Sequence, residues 1–134
     1  MDADLERLVW ERARRRCEYC RMPREFDEIT FEIDHVTPRK HGGPTAAENL
    51  ALACFFRNNR KGPNLSGIDP ESGEVVELFN PRWQRWERHF RWVGARLVGR
   101  TKSGRATVVV LEMYLPSRVE LREVLGDAGL FPPK

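Results

Sequence analysis

Apolar positions in the first half of the chain follow first the period of a helix and then that of a strand. Between residues 2 and 16, the apolar side chains that recur every three or four positions are Leu5, Leu8, Val9 and Ala13. Residues 29–36 instead alternate apolar and polar side chains. We therefore predict an N-terminal helix over 2–16 and a strand over 29–36.

Turn-forming residues separate this strand from a second strand and a helix. Residues 37–44 contain two prolines and two glycines, which predicts a loop. The apolar run at 50–53 can return beside the first strand. Residues 54–61 favour a helix that ends at Gly62 and Pro63.

The pattern after residue 64 predicts a hairpin and then helices. Turn residues separate 65–68 from 75–79, which is typical of a β-hairpin. Residues 81–92 place three aromatic side chains, Trp83, Trp86 and Phe90, on one stripe of a predicted helix. Such a stripe is more often part of a core than a base-stacking platform, because aromatic burial dominates small cores.

The remaining segments give weaker patterns. Residues 93–100 predict a short strand or hairpin, and 103–113 favour a helix. Ser117 and Glu120 have the spacing of a capping box, which predicts a last helix that reaches residue 125.

Length and charge limit the class of protein. With 134 residues, 40% of them hydrophobic, the chain suits one domain over 1–134 with a modest core. The formal net charge of +3 is too small to indicate a polyanionic partner, although arginines cluster in several segments. No apolar run approaches the ~20 residues of a membrane span, and the N-terminus lacks the apolar core of a secretory signal. We therefore expect a cytoplasmic protein without a membrane partner.

Three cysteines form an incomplete metal-binding pattern. Cys17 and Cys20 have the C-x-x-C spacing that serves metals more often than disulfides in a reducing compartment. Cys54 could begin a second pair, but Arg57 stands where its partner would be, and a guanidinium cannot bind zinc. The fourth ligand would be water, a displaced side chain such as His41, or absent. We expect structural zinc to be absent or weakly bound.

The most informative chemistry lies between residues 31 and 61. A hairpin followed by a helix could bring Asp34, His35, Asn49 and Asn58 into one site. Histidine titrates near neutrality and can accept a proton from water, while a carboxylate and an amide oxygen suit a hard divalent ion. These residue types fit the metal-assisted hydrolysis of a phosphodiester bond. The alternative is a hydrogen-bonded pair at a strand end, with the asparagines as caps.

Several spaced elements also resemble a known family. In order, they are Cys-x-x-Cys, Ile-Asp-His, Gly-Gly, Asn-Leu and Cys-x-x-x-Asn-x-x-Lys-Gly, within residues 15–62. This order resembles the His-Asn-His (HNH) endonuclease family, in particular the branch with a zinc-knuckle brace. The resemblance implies an α+β fold with a ββα-metal core. We expect this core, together with the N-terminal helix, over 1–65, and residues 66–134 as a helix and hairpin extension packed on it.

The resemblance also implies a role for each residue of the predicted site. It makes His35 the general base, Asp34 and Asn58 the metal ligands, and Asn49 the residue that fastens the loop holding the histidine. Asn58 is preferred over Asn59 because it keeps the family's three-residue interval to Lys61. Basic candidates for nucleic-acid contact are Arg39, Lys40, Arg60 and Lys61.

These expectations define an enzyme and its alternatives. We expect an HNH endonuclease that hydrolyses DNA with Mg²⁺ or Mn²⁺ and uses no small-molecule cofactor. The alternatives are a nucleic-acid-binding protein of the same fold with weak or no cleavage, or a zinc-knuckle interaction domain. The sequence carries no signal for an oligomeric state.

Overall fold

The computed structural model describes residues 1–134 as a mixed α+β fold. Its helices are α1 (Ala3–Arg12), α2 (Phe55–Lys61), α3 (Trp86–His89), α4 (Lys102–Val110) and α5 (Pro116–Asp127). Its strands are β1 (Glu32–His35), β2 (Leu50–Ala53), β3 (Ser66–Ile68), β4 (Val75–Glu77), β5 (Phe90–Val93) and β6 (Arg96–Gly99). None of the helices combines the length and apolar character that crossing a bilayer would require.

The strands form three separate antiparallel pairs, β1 with β2, β3 with β4, and β5 with β6. In the first pair Glu32 lies opposite Ala53 and His35 opposite Leu50. All four side chains of β2 are buried, so this strand passes through the core. Because α2 begins two residues after β2 ends, β1, β2 and α2 form the predicted ββα unit.

Helix α1 is shorter than the sequence predicted. Asp2 caps its start, where the carboxylate accepts a hydrogen bond from the Leu5 amide at 2.8 Å. The helix ends at Arg12, and Arg14 and Arg15 adopt left-handed backbone angles. Such angles cannot continue a right-handed helix, so the arginine run turns the chain toward the cysteine pair.

The predicted helix over 81–92 is wrong. Only Trp86–His89 is helical, and the next four residues form β5. Aromatic and β-branched side chains at these positions suit a strand, and the tight turn to β6 is made at Gly94, whose φ is +60°. The aromatic stripe is also divided, since Trp86 and Phe90 are buried whereas Trp83 is exposed.

The other elements of the second half follow the predictions more closely. The hairpin of β3 and β4, the helix α4 and a hairpin strand within 93–100 are confirmed. Helix α5 begins at Pro116, not at a Ser117 cap, because proline is pre-organised for the first helical position. It then continues past Gly126 to Asp127.

One cluster of 22 buried apolar residues draws on both halves of the chain, from Val9 to Phe131. A buried ion pair also joins the halves, because Arg118 of α5 donates to the Asp27 carboxylate at 2.7 Å. The ββα unit is therefore packed against residues that are distant in sequence.

Candidate active site

The end of β1 places Asp34 and His35 on opposite sides of the strand. Adjacent strand residues point to opposite faces, and the contacts of these two side chains differ accordingly. Asp34 is buried against Tyr19 and Lys61. His35 is half-buried and contacts Thr45 in the following loop.

The Asp34 carboxylate lies in a buried network. It accepts a hydrogen bond from the Tyr19 hydroxyl at 2.6 Å, and the Lys61 ammonium lies 3.2 Å from it. Burial raises the pKa of Asp34, while the charge of Lys61 and the Tyr19 hydroxyl act in the opposite direction. The ionised carboxylate therefore depends on these two partners.

Lys61 ties helix α2 to the end of β1. Besides Asp34, its ammonium donates to the carbonyl oxygens of His35 at 3.2 Å and Val36 at 3.0 Å. An ammonium has three donors, so these contacts use all of them. Lys61 is also buried, and it therefore cannot serve as the predicted phosphate contact.

Asn49 fastens the two ends of the loop between β1 and β2. Its Oδ1 accepts from the Thr37 amide at 2.9 Å, and its Nδ2 donates to the carbonyls of Thr37 at 3.0 Å and Pro44 at 2.9 Å. Gly43 is required beside it, because a Cβ there would lie 1.7 Å from the Thr37 oxygen. The loop that follows His35 is thus held by one buried amide.

His35 has one ring nitrogen that no protein atom hydrogen-bonds. Its Nε2 lies 2.8 Å from the Thr45 hydroxyl, and its Nδ1 has no hydrogen-bond partner in the protein. If Nε2–H donates to Thr45, the lone pair is on Nδ1, which can then accept a proton. Thr45 could not be assigned this contact from sequence, because no local spacing pairs it with His35.

Helix α2 presents Asn58 on the same side as Lys61, one turn earlier. The Asn58 side chain is half-buried and makes no hydrogen bond within the protein. Its amide oxygen is therefore free to bind a ligand. Asn59, in contrast, accepts a hydrogen bond from Arg60 at 2.6 Å.

The remaining basic candidates differ in availability. Arg39 and Lys40 are exposed in a short helical turn of the loop and have no acidic partner. Arg60 forms an ion pair with Glu112, so it is partly neutralised. Of the four predicted contacts, Arg39 and Lys40 are the freest to meet a phosphate.

A second cluster, the thiol cluster, consists of Cys17, Cys20 and Cys54 with Arg57. All three cysteines are buried and reduced, and their sulfur atoms lie within 4.8 Å of one another. The Arg57 side chain is fully buried, and none of its guanidinium nitrogens has a hydrogen-bond partner. His41, considered as a displaced ligand, instead lies against the Pro63 carbonyl, with its Nε2 3.1 Å from that oxygen.

The surroundings of the three thiols shift their pKa values in different directions. Hydrogen bonds from Cys17 and Cys54, assisted by the charges of Arg57 and Arg122, hold the pKa of Cys20 well below its ordinary value. Burial raises the pKa of Cys17. For Cys54, the hydrogen bond from Cys17 lowers the pKa. The hydrogen bond with Cys20 and the burial of the thiol together outweigh this effect and raise the pKa of Cys54 to about 12. The group could bind a metal ion, with Arg57 in place of a fourth thiolate.

A hard divalent ion fits the donor set at the end of β1. Asn58 offers an unpartnered amide oxygen one helical turn before Lys61, the residue that contacts Asp34. A carboxylate has about four acceptor sites, which is more than Tyr19 and Lys61 use at Asp34. One carboxylate and one amide, completed by water and substrate, is the sparse shell that Mg²⁺ accepts.

The end of β1 thus combines a hairpin and a helix with a histidine, a loop-fastening asparagine and oxygen donors. The family model for HNH endonuclease matches residues 17–64, which include all of these side chains and the three cysteines. This match confirms the resemblance to the HNH family that the sequence predicted for this segment. Searches of curated proteins and of solved structures found no match. HNH domains suggest a nuclease-type function and typically use a divalent metal.

Proposed function

We propose that the protein is a divalent-metal-dependent endonuclease that hydrolyses phosphodiester bonds in DNA. The observation that carries the proposal is the state of His35, a half-exposed imidazole whose Nδ1 is free. Lys61 holds the His35 carbonyl, and Asn49 holds the loop that follows at Thr37. A general base needs both a free lone pair and a fixed position.

Each residue of the site has a defined task in this mechanism. His35 takes a proton from the attacking water at Nδ1, and Thr45 fixes the ring and its tautomer through Nε2. Asn49 keeps the loop from shifting the ring. Asp34 and Asn58 would hold the divalent ion, which when bound supplies Lewis-acid stabilisation of the phosphate charge.

Contact with DNA is proposed to be mainly electrostatic. Arg39 and Lys40 extend from the loop that carries the site and are free to meet phosphates. Phosphate contacts position a substrate without reading its bases, and they release counterions. DNA affinity should therefore fall steeply with salt, and unchanged binding between low and high salt would contradict this assignment.

Variants of single residues test the mechanism. His35→Ala should reduce turnover by roughly 10²- to 10⁴-fold while metal and DNA binding persist. Asp34→Ala and Asn58→Ala should weaken metal affinity, and excess Mn²⁺ should restore part of their activity but none of that of His35→Ala. His41→Ala, a histidine in the same loop but outside the site, is the matched control and should cut normally.

The measurements are plasmid cleavage and metal titration by calorimetry. Equal metal affinity in Asp34→Ala and the unchanged protein would remove Asp34 from the site. A His35→Ala variant that cuts at the normal rate would refute the mechanism.

A DNA-binding protein that does not cleave is the second candidate. It is favoured by one observation, the buried ion pair in which Lys61 already balances the Asp34 charge. Incubating plasmid with and without Mg²⁺ or Mn²⁺ distinguishes the two, because retarded but uncut plasmid under all metals would support the second candidate.

A further inference from the structure

A groove that includes an exposed tryptophan is lined in part by residues that adjoin the proposed active site. It has a volume of about 530 Å³, and its lining includes Thr37, Lys61 and Trp83. Thr37 follows His35 by two residues, and Lys61 contacts Asp34. A chain bound at the site would therefore have this groove beside it.

The exposure of Trp83 has no structural explanation within the fold. Its side chain is 72% exposed, whereas Trp86, three residues later, is 7% exposed and packs in the core. Its indole N–H has no acceptor in the protein, unlike that of Trp86, which donates to the Tyr19 carbonyl. Leu65, also in the groove, is 43% exposed. Exposed aromatic surface beside an apolar side chain is typical of a binding site.

The charges of the groove exclude a phosphate as its occupant. Lys61 is its only cation, and all three donors of that ammonium are used by Asp34 and two carbonyls. Glu77 also lines the groove, and its carboxylate has no partner in the protein. A phosphate would meet one free negative charge and no free positive charge.

The polar groups of the groove instead match the edge of a nucleobase. Asn80 and Gln84 use their amide oxygens within the protein, accepting from the Arg82 and Asn80 backbone amides, which leaves their NH₂ groups free. The Asn64 side chain makes no hydrogen bond. Free amides and a carboxylate can pair with the acceptors and exocyclic amines of bases.

We propose that this groove binds an unpaired nucleobase of the strand that occupies the active site, with Trp83 as its stacking platform. Every base has a π-face, so stacking on Trp83 would be tolerant of sequence, and the amide groups would add preference. The proposal rests on the proposed function for the identity of the strand. It further implies that the protein acts on DNA with at least one unstacked base.

The test compares two single-stranded probes that differ only in their bases. One is a fluorescein-labelled thymidine octanucleotide, and the other carries abasic tetrahydrofuran units with the same number of phosphates. Fluorescence anisotropy is measured in EDTA, so that cleavage cannot occur. We expect the unchanged protein to bind the thymidine probe roughly 5- to 150-fold more tightly, the usual worth of stacking one base.

Variants assign the effect to Trp83. Trp83→Ala should remove the preference for the thymidine probe, Trp83→Tyr should keep most of it, and neither should change affinity for the abasic probe. Tyr114, 56% exposed and outside the groove, provides the control, since Tyr114→Ala should behave as the unchanged protein.

Two results would overturn the proposal: equal binding of both probes by the unchanged protein, or a base preference that survives in Trp83→Ala. A dimer that dissociates in Trp83→Ala would also overturn it, because a second copy of the chain would then be the occupant. Base-dependent binding without any cleavage under Mg²⁺ or Mn²⁺ would refute only the proposed endonuclease activity. Cleavage without base preference would refute only the groove.

Discussion

Asn49→Ala should lower the free energy of unfolding by about 2–3 kcal/mol. The side chain is 7% exposed and makes three hydrogen bonds, two to the backbone of Thr37 and one to the carbonyl of Pro44. Each bond contributes about 0.5–1.5 kcal/mol net, which gives about 1.5–4.5 kcal/mol for three. Thr37 is half-buried and Pro44 exposed, so water can replace part of the loss, and a value in the lower half of that range is expected.

The measurement is urea unfolding at neutral pH in EDTA. Asn49→Asp should be at least as unstable as Asn49→Ala, because it places a carboxylate oxygen against two carbonyls. Asn59→Ala, which removes an exposed amide of α2, should stay within about 0.5 kcal/mol of the unchanged protein. An Asn49→Ala variant inside that same margin would refute the fastening role.

Two neighbouring glycines give an independent check on the same loop. An alanine Cβ at Gly43 would lie 1.7 Å from the Thr37 oxygen and 2.9 Å from Asn49 Nδ2, so Gly43→Ala should disrupt the same hydrogen bonds. Gly42 has φ +86° with open space around it, and Gly42→Ala should cost only backbone strain of about 1 kcal/mol. The double variant Asn49→Ala with Gly43→Ala should be less destabilised than the sum of the two. Strict additivity would show that the glycine acts elsewhere.

Three further predictions concern the thiol cluster, a buried carboxylate and the unity of the fold. Protein purified without added metal should hold less than one zinc per chain and keep its fold under chelation, and stoichiometric zinc would contradict this. The Arg57→Cys variant should bind zinc more tightly and melt at a higher temperature when zinc is supplied. Hydrogen bonds from Arg105 hold the pKa of Asp69 well below its ordinary value. The ionised carboxylate therefore stabilises the fold at any pH above the ordinary pKa of the group, and this stabilisation is lost as the pH falls through the pKa of the folded state. In the Asp69→Asn variant, the urea midpoint should therefore decrease less as the pH is lowered below about 4. The same decrease as in the unchanged protein would refute the assignment. We also propose that residues 1–65 and 66–134 form one domain, so unfolding followed by tryptophan fluorescence and by circular dichroism should coincide, and two separate transitions would argue against it.

The sequence by itself determined the ββα unit and the order of the residues within it. The alternation before His35, the turn residues at 37–44 and the helix stop at Gly62 are local signals, because backbone preference depends on near neighbours. The motif spacing also identified the HNH segment. Where local signals conflicted, as at Phe90–Val93, strand pairing with residues 96–99 overrode the helical pattern.

Only the tertiary structure decided what each side chain meets. Lys61 is a basic residue near a helix end in the sequence, but packing of α2 on β1 turns it into a buried partner of Asp34. Trp83 shares a helical stripe with Trp86 on paper, yet only Trp86 enters the core. The sequence likewise contained no sign that the Arg57 guanidinium is buried beside the cysteines without a hydrogen-bond partner. These outcomes depend on segments far apart in the chain, because whether a charge is paired or a ring is buried is determined by the surfaces that pack around it.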